Sequence, residues 1–184
     1  WRPVIGEVYD TANIWGTITQ TITRYDSAGN VSFASYPQRV ADPAAYTTWA
    51  NLAVSPNAPG IWTTYDALGR PTQVQQTSEL GWLTTTTEYL TDFMTRVTNP
   101  RGIPTISKYQ VYDQPSTDAP SGVTVLSGVD TAATEIVRDV FGKPKQIKRR
   151  NQNDTLSSSR YYVYDGYQQL CKTIEPESGA TAMG

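Results

Sequence analysis

The dominant pattern along this chain is alternation with a period of two. From Ile14 to Tyr25, Ile14, Ile18 and Ile22 share one face with Gln20, while Trp15, Thr17, Thr19, Thr21, Thr23 and Tyr25 share the other. That is the signature of a long β-strand with one wet face. Further strands are expected at 31–35, 61–65, 72–77, 82–90, 105–112, 135–139, 145–149, 160–164 and 169–174. Two stretches depart from the alternation. Asp42-Pro43 offers a capping residue and a first-turn proline, and Tyr46, Trp49 and Leu52 or Ala53 follow at helical spacing, so a helix is expected at 43–52. Residues 115–130 are rich in Pro, Ser, Thr, Asp and Gly and read as a loop carrying one short strand at 123–126. The expected fold class is all-β, with antiparallel hairpins following one another along a sheet.

Between the strands a short phrase recurs. Tyr25-Asp26-Ser27-Ala28-Gly29-Asn30 is followed by Tyr65-Asp66-Ala67-Leu68-Gly69-Arg70, and Arg138-Asp139-Val140-Phe141-Gly142-Lys143 keeps the Asp and Gly. Weaker copies begin at Tyr9-Asp10, Tyr112-Asp113 and Tyr164-Asp165. A second phrase, Asn99-Pro100-Arg101-Gly102-Ile103-Pro104-Thr105, is echoed by Glu175-Pro176-Glu177-Ser178-Gly179-Ala180-Thr181. The spacing is uneven: Gly29 to Gly69 and Gly102 to Gly142 are each 40 residues, Gly69 to Gly102 only 33. An aspartate folds its carboxylate onto backbone N–H groups just ahead of it, and glycine supplies the positive φ that completes a tight turn. Each phrase therefore reads as a turn between strands, with the tyrosine closing one strand.

Composition agrees with strands rather than helices. Charged residues make up 17% of the chain against about 25% in an average domain, their place taken by Thr, Ser, Gln and Asn. Net charge is −2, so no overall field draws the chain to nucleic acid or to an anionic membrane. There is no apolar run long enough for a helical membrane span and no leader-like start. Trp1 and Gly184 read as the ends of an excised fragment, an array over 1–184 with an irregular insert at about 37–60 and a loop at about 115–130.

The candidate chemistry is thin. Histidine is absent and Cys171 stands alone, which removes the commonest general base, any Ser-His or Cys-His pair and a Cys/His zinc site. Asp26, Asp66, Asp139 and Asp165 repeat in one turn context, which marks them as turn-formers rather than a catalytic carboxylate pair. Cys171, between Leu170 and Lys172, reads as a small buried hydrophobe. The basic run Lys143, Lys145, Lys148, Arg149, Arg150 reads as a solvated edge or hairpin tip whose charges divide between two faces. No catalytic residue, cofactor or metal ligand is expected. Trp15, Trp62 and Trp82 are the candidates for a glycan-stacking platform, although packing between repeats is the favoured use of the same rings.

The phrases Tyr-Asp-x-x-Gly-Arg and Asn-Pro-Arg-Gly-x-x-Thr, with the lead-ins Tyr109-Gln110-Val111-Tyr112-Asp113 and Tyr162-Val163-Tyr164-Asp165, together resemble YD repeats. Such repeats build Rhs proteins, bacterial wall-associated toxins, the shells of insecticidal toxin complexes and teneurins. Matches run from Tyr9 to Thr181, with Tyr25–Asn30 and Tyr65–Arg70 nearest the full pattern. The resemblance implies a strip of hairpins walling a hollow shell in a large secreted or surface bacterial protein, its signal outside this segment. It implies as partners the remainder of that shell and an enclosed C-terminal domain, and it makes Tyr25, Asp26, Gly29, Tyr65, Asp66, Gly69, Arg70, Gly102, Asp139, Gly142, Tyr164, Asp165 and Gly179 the structural residues of the turns. Gln168 stands where the motif has glycine, and inserts lie around Pro43 and Pro120, so irregular loops are expected there. Nothing resembles the family's self-cleaving core motif.

Overall fold

A computed structural model describes residues 4–8, 19–39, 59–109, 117–128, 131–177 and 179–182. Every element among them is a β-strand: β1 Ile5–Val8, β2 Thr19–Tyr25, β3 Val31–Ser35, β4 Gln38–Arg39, β5 Gly60–Tyr65, β6 Pro71–Ser78, β7 Gly81–Leu90, β8 Met94–Thr98, β9 Pro104–Tyr109, β10 Pro120–Val125, β11 Ala132–Arg138, β12 Pro144–Asn151, β13 Ser157–Tyr164, β14 Leu170–Glu175 and β15 Gly179–Ala182. The fold is all-β. The chain forms two compact units, Trp1–Thr86 and Thr87–Gly184. In the first the strand order is β1-β2-β3-β5-β6-β7, with β4 also paired to β2; in the second it continues from the end of β7 through β8 to β15 in sequence order. All the described registers are antiparallel.

The alternation placed most strands to within a residue or two. Four were not expected: β1, β4, β8 and β15. Each is only two to five residues long, too short for a period of two to stand out from its surroundings. Residues 120–125 correct the loop expected at 115–130. β10 starts at Pro120, three residues before the short strand that was foreseen, because a proline is tolerated as the first residue of a strand. The helix expected at 43–52, the phrases at Tyr9–Asn13 and Tyr112–Pro115, and Trp15 all lie outside the described residues.

Burial is sparse. Among the described residues Phe33 is the one fully buried hydrophobic side chain, and Gln20 is the one buried polar side chain, its amide donating to Glu7 Oε1 at 2.7 Å. Most strand positions are half-buried on both faces, as in β12, whose burial does not alternate. What core exists sits in the first unit. Phe33 is the ladder partner of Trp62, with ring centroids 4.1 Å apart, and its ring lies over Gly60. Thr77 on β6 closes this cluster: its hydroxyl accepts from the Gly60 N–H at 2.8 Å, and its carbonyl accepts from the Tyr36 hydroxyl at 2.9 Å.

Candidate functional site

Among the described residues the repeated phrases fold into one turn, made five times. In the Asp66 copy the Asp66 N–H donates to Arg70 O at 2.9 Å and the Gly69 N–H donates to Asp66 O at 3.0 Å. The carboxylate oxygen Oδ1 then accepts the N–H groups of Leu68 and Arg70, both at 2.9 Å. Asp139 repeats this with Phe141 and Lys143, and Asp165 with Tyr167 and Gln169. Asp26 makes the matching backbone bonds and accepts from the Asn30 N–H at 2.8 Å. Asn99, whose phrase also reads as a turn from the sequence, forms the same turn with its amide oxygen accepting from Arg101 and Ile103 at 3.0 Å. The requirement is an oxygen on a short side chain, not a charge.

The fourth turn residue takes positive φ in every copy: Gly29 88°, Gly69 75°, Gly102 76°, Gly142 79° and Gln168 65°. Position 168 therefore corrects the irregular loop expected there, because Asp165 supplies enough hydrogen bonds to hold a glutamine in the left-handed region. That conformation is strained for a residue with a Cβ. Gln168→Gly is expected to raise stability by roughly 0.5–1 kcal/mol, read as a higher urea midpoint.

Four of these turns carry a bulge on the returning strand, seen as register shifts after Arg24, Thr64, Val137 and Val163. The bulged residues are Ser32, Thr72, Lys145 and Cys171. The Thr72 hydroxyl donates to Thr64 O at 3.3 Å, and the Cys171 thiol donates to Val163 O at the same distance. Cys171 thus occupies a hydroxyl position in the repeat and is half-buried with a polar contact, which corrects its reading as a buried hydrophobe.

Two of the tyrosines in the Tyr-Asp pairs, Tyr65 and Tyr164, do more than end a strand. The Tyr65 hydroxyl donates to Val31 O at 2.8 Å, and Tyr164 donates to Pro144 O at 3.1 Å. Val31 and Pro144 are the first residues after the Asp26 and Asp139 turns, so each tyrosine ties its own hairpin to the preceding one. Where the phrase has Arg138, the guanidinium makes the same reach, with Nη2 donating to Pro120 O at 3.2 Å and Nη1 donating to Gly142 O at 2.9 Å. Burial first, and then the Asp139 carboxylate, push the Tyr164 phenol up, which keeps it protonated as a donor. Lys143 adds a second joint, its ammonium donating to Gln168 O and lying 5.1 Å from the centre of the Tyr164 ring.

Two of the turn aspartates, Asp26 and Asp66, are held ionised. The Asn30 side chain foremost, with backbone N–H groups of the turn, lowers Asp26, and the backbone N–H and guanidinium of Arg70 lower Asp66, below the usual carboxylate value. A depressed folded pKa stabilises the fold above the unfolded value and ceases to do so as pH falls through the folded one. Thermal stability is therefore expected to drop as pH is lowered below about 4. Asp66→Asn, which copies the Asn99 turn, should flatten that drop, and an identical acid profile in the variant overturns the assignment.

Among the described residues no three Asp, Glu or Cys side chains come together as a metal site. For the basic run the edge alternative is corrected, because β12 lies between β11 and β13, while its two ends sit beside the hairpin turns at Asp139 and Asn151. Lys148 pairs with Asp154 at 3.4 Å and Arg150 with Glu135 at 2.7 Å, while Lys143 ends the Asp139 turn. Trp62 and Trp82 share one face, because Trp62 opposes Gln75, Gln75 opposes Thr84, and Trp82 is two residues from Thr84. Trp62 packs on Phe33, whereas Trp82 is 45% exposed. Gly179 opens β15 with φ 76°.

The arrangement defines a class: an all-β hairpin array in which a short side-chain oxygen shapes each of the five repeated turns described and a long donor ties three hairpins to the strand before. No family model and no curated protein matches this chain.

Proposed function

We propose that the chain is a non-catalytic wall segment of a YD-repeat (Rhs-type) protein, secreted or displayed on a bacterial surface, whose array encloses or presents a C-terminal toxin domain. Its partners on this reading are the rest of the parent array and that enclosed domain, with no cofactor. The observation that carries it is the recurrence of one turn with the same hydrogen bonds at Asp26, Asp66, Asn99, Asp139 and Asp165. The repeated residues hold backbone, and none is left for substrate. A sheet half-buried on both faces and almost without a core also suits a wall that leans on its neighbours. Limited proteolysis of the natural parent protein tests the reading. The C-terminal domain should resist cleavage within the intact array and be cut readily when produced alone; equal rates in both settings defeat it.

One observation favours a second reading, a carbohydrate-binding or adhesion module: Trp82 presents an exposed ring on the face it shares with Trp62. Titrating oligosaccharides against tryptophan fluorescence separates the two. The wall reading expects no saturable quenching, and the glycan reading expects quenching that disappears in Trp82→Ala.

A further inference from the structure

We infer that Tyr65, Arg138 and Tyr164 are the register locks of the sheet, each fixing how its hairpin aligns with the one before. The inference concerns the chain's own assembly and stands whether or not the chain belongs to a shell.

The three contacts obey one relation. Extending the β3–β5 register by two residues sets Thr64 opposite Val31, and the donor to Val31 is the next residue, Tyr65. Extending the β10–β11 register by two residues sets Val137 opposite Pro120, and the donor is Arg138. The same extension of the β12–β13 register sets Val163 opposite Pro144, and the donor is Tyr164. In each case the donor sits one step beyond the ladder partner of its acceptor. Two chemically different side chains fill the role, and what they share is length and a terminal donor.

A lock is needed because the usual one is missing. Register is ordinarily specified by a buried face, since a slip by one residue turns apolar side chains into water. Here Thr, Ser, Gln and small apolar residues occupy both faces, and only the Phe33 cluster is buried among the described residues. Within a hairpin the Asp or Asn turn sets the alignment. Between β12 and β13 the Asn151 turn, whose N–H donates to Leu156 O at 3.1 Å, already sets part of the alignment and the Tyr164 tie adds to it. Between β3 and β5, and between β10 and β11, no turn of that kind is described, and the backbone ladder accepts a slip of two residues with the same number of bonds. The tie does not: after such a slip its donor lies too far along the strand to reach the carbonyl.

The β10–β11 joint gives the test. In a Cys171→Thr background, Val123→Cys supplies one thiol and two candidate partners are offered together, Thr134→Cys in register and Ala132→Cys displaced by two. Peptide mapping of the disulfides reads the register directly. With Arg138 present the 123–134 bond should dominate. Arg138→Met keeps length and removes the donors, and should raise the displaced product about fivefold, the shift one hydrogen bond carries. Arg138→Tyr should restore the original ratio, which a merely electrostatic or packing role of Arg138 does not foresee. Tyr164→Phe keeps the ring and loses only the hydroxyl. Read with Arg149→Cys against Ser158→Cys and Arg160→Cys, it repeats the test on β12 and β13 should Arg138→Met not fold. Unchanged ratios in the folded donor-less variants, or failure of Arg138→Tyr to rescue, overturn the inference.

Discussion

Gly60→Ala, the smallest substitution available, should lower the unfolding free energy by about 3 kcal/mol. A Cβ at that position would lie 2.5 Å from Ala34 O, 2.6 Å from Phe33 Cε2 and 2.8 Å from Ser35 Cα. Two of those three atoms are backbone, so the strain cannot be relieved by a rotamer change; β3 and β5 must separate. Separation would break the Phe33–Trp62 contact, and Phe33 is the one wholly buried hydrophobic side chain among the described residues. Phe33→Ala should therefore cost a similar amount, about 3–5 kcal/mol. The double variant should cost clearly less than the sum, because each change disrupts the same strand pair. Urea midpoints with a constant slope provide the measurement. A Gly60→Ala midpoint equal to that of the parent chain would show that β3 and β5 do not approach as described.

Gly69→Val should cost about 1–3 kcal/mol for a different reason. The nearest atom to a Cβ at 69 is Asn30 Oδ1 at 3.7 Å, an ordinary contact, so crowding contributes nothing. The cost is conformational: φ is 75°, and a β-branched side chain rarely adopts that region. Asparagine tolerates it best among the other residues, so Gly69→Asn should lose well under half as much as Gly69→Val. The ordering Gly, Asn, Val in melting temperature separates the two explanations, and an asparagine variant as unstable as the valine one would point to packing instead. The order should hold at Gly142, whose φ is 79° and whose Cβ would meet nothing within 4 Å.

Several features were legible in the residues because their causes are local. Asp26, Asp66, Asp139 and Asp165 bond to N–H groups two to four positions ahead, so a short window of sequence contains the whole turn. The strands β6 and β7 were legible nearly to their ends because runs of Thr, Val and aromatic residues favour a pleated surface, whereas the Ser157–Ser159 start of β13 carries no such signal. The Asn99 phrase was legible as a turn through its glycine, but its identity with the Asp turn lies in the amide oxygen making the same two contacts, which only the structure places. Cys171 was misjudged because its role as a stand-in for Thr72 depends on a bulge that sequence does not announce.

The sequence by itself determined the all-β class, the positions of the repeated turns and most of the longer strands, since propensity, alternation and side-chain bonds to nearby backbone act within a few residues. Only the tertiary structure decided which hairpin faces which, and in what register. Tyr65 reaches Val31 across 34 residues, Arg138 reaches Pro120 across 18, and Phe33 finds Gly60 and Trp62 beyond a long connection. Such contacts depend on the chain folding back on itself, and no local preference encodes the distance or the angle at which two strands meet.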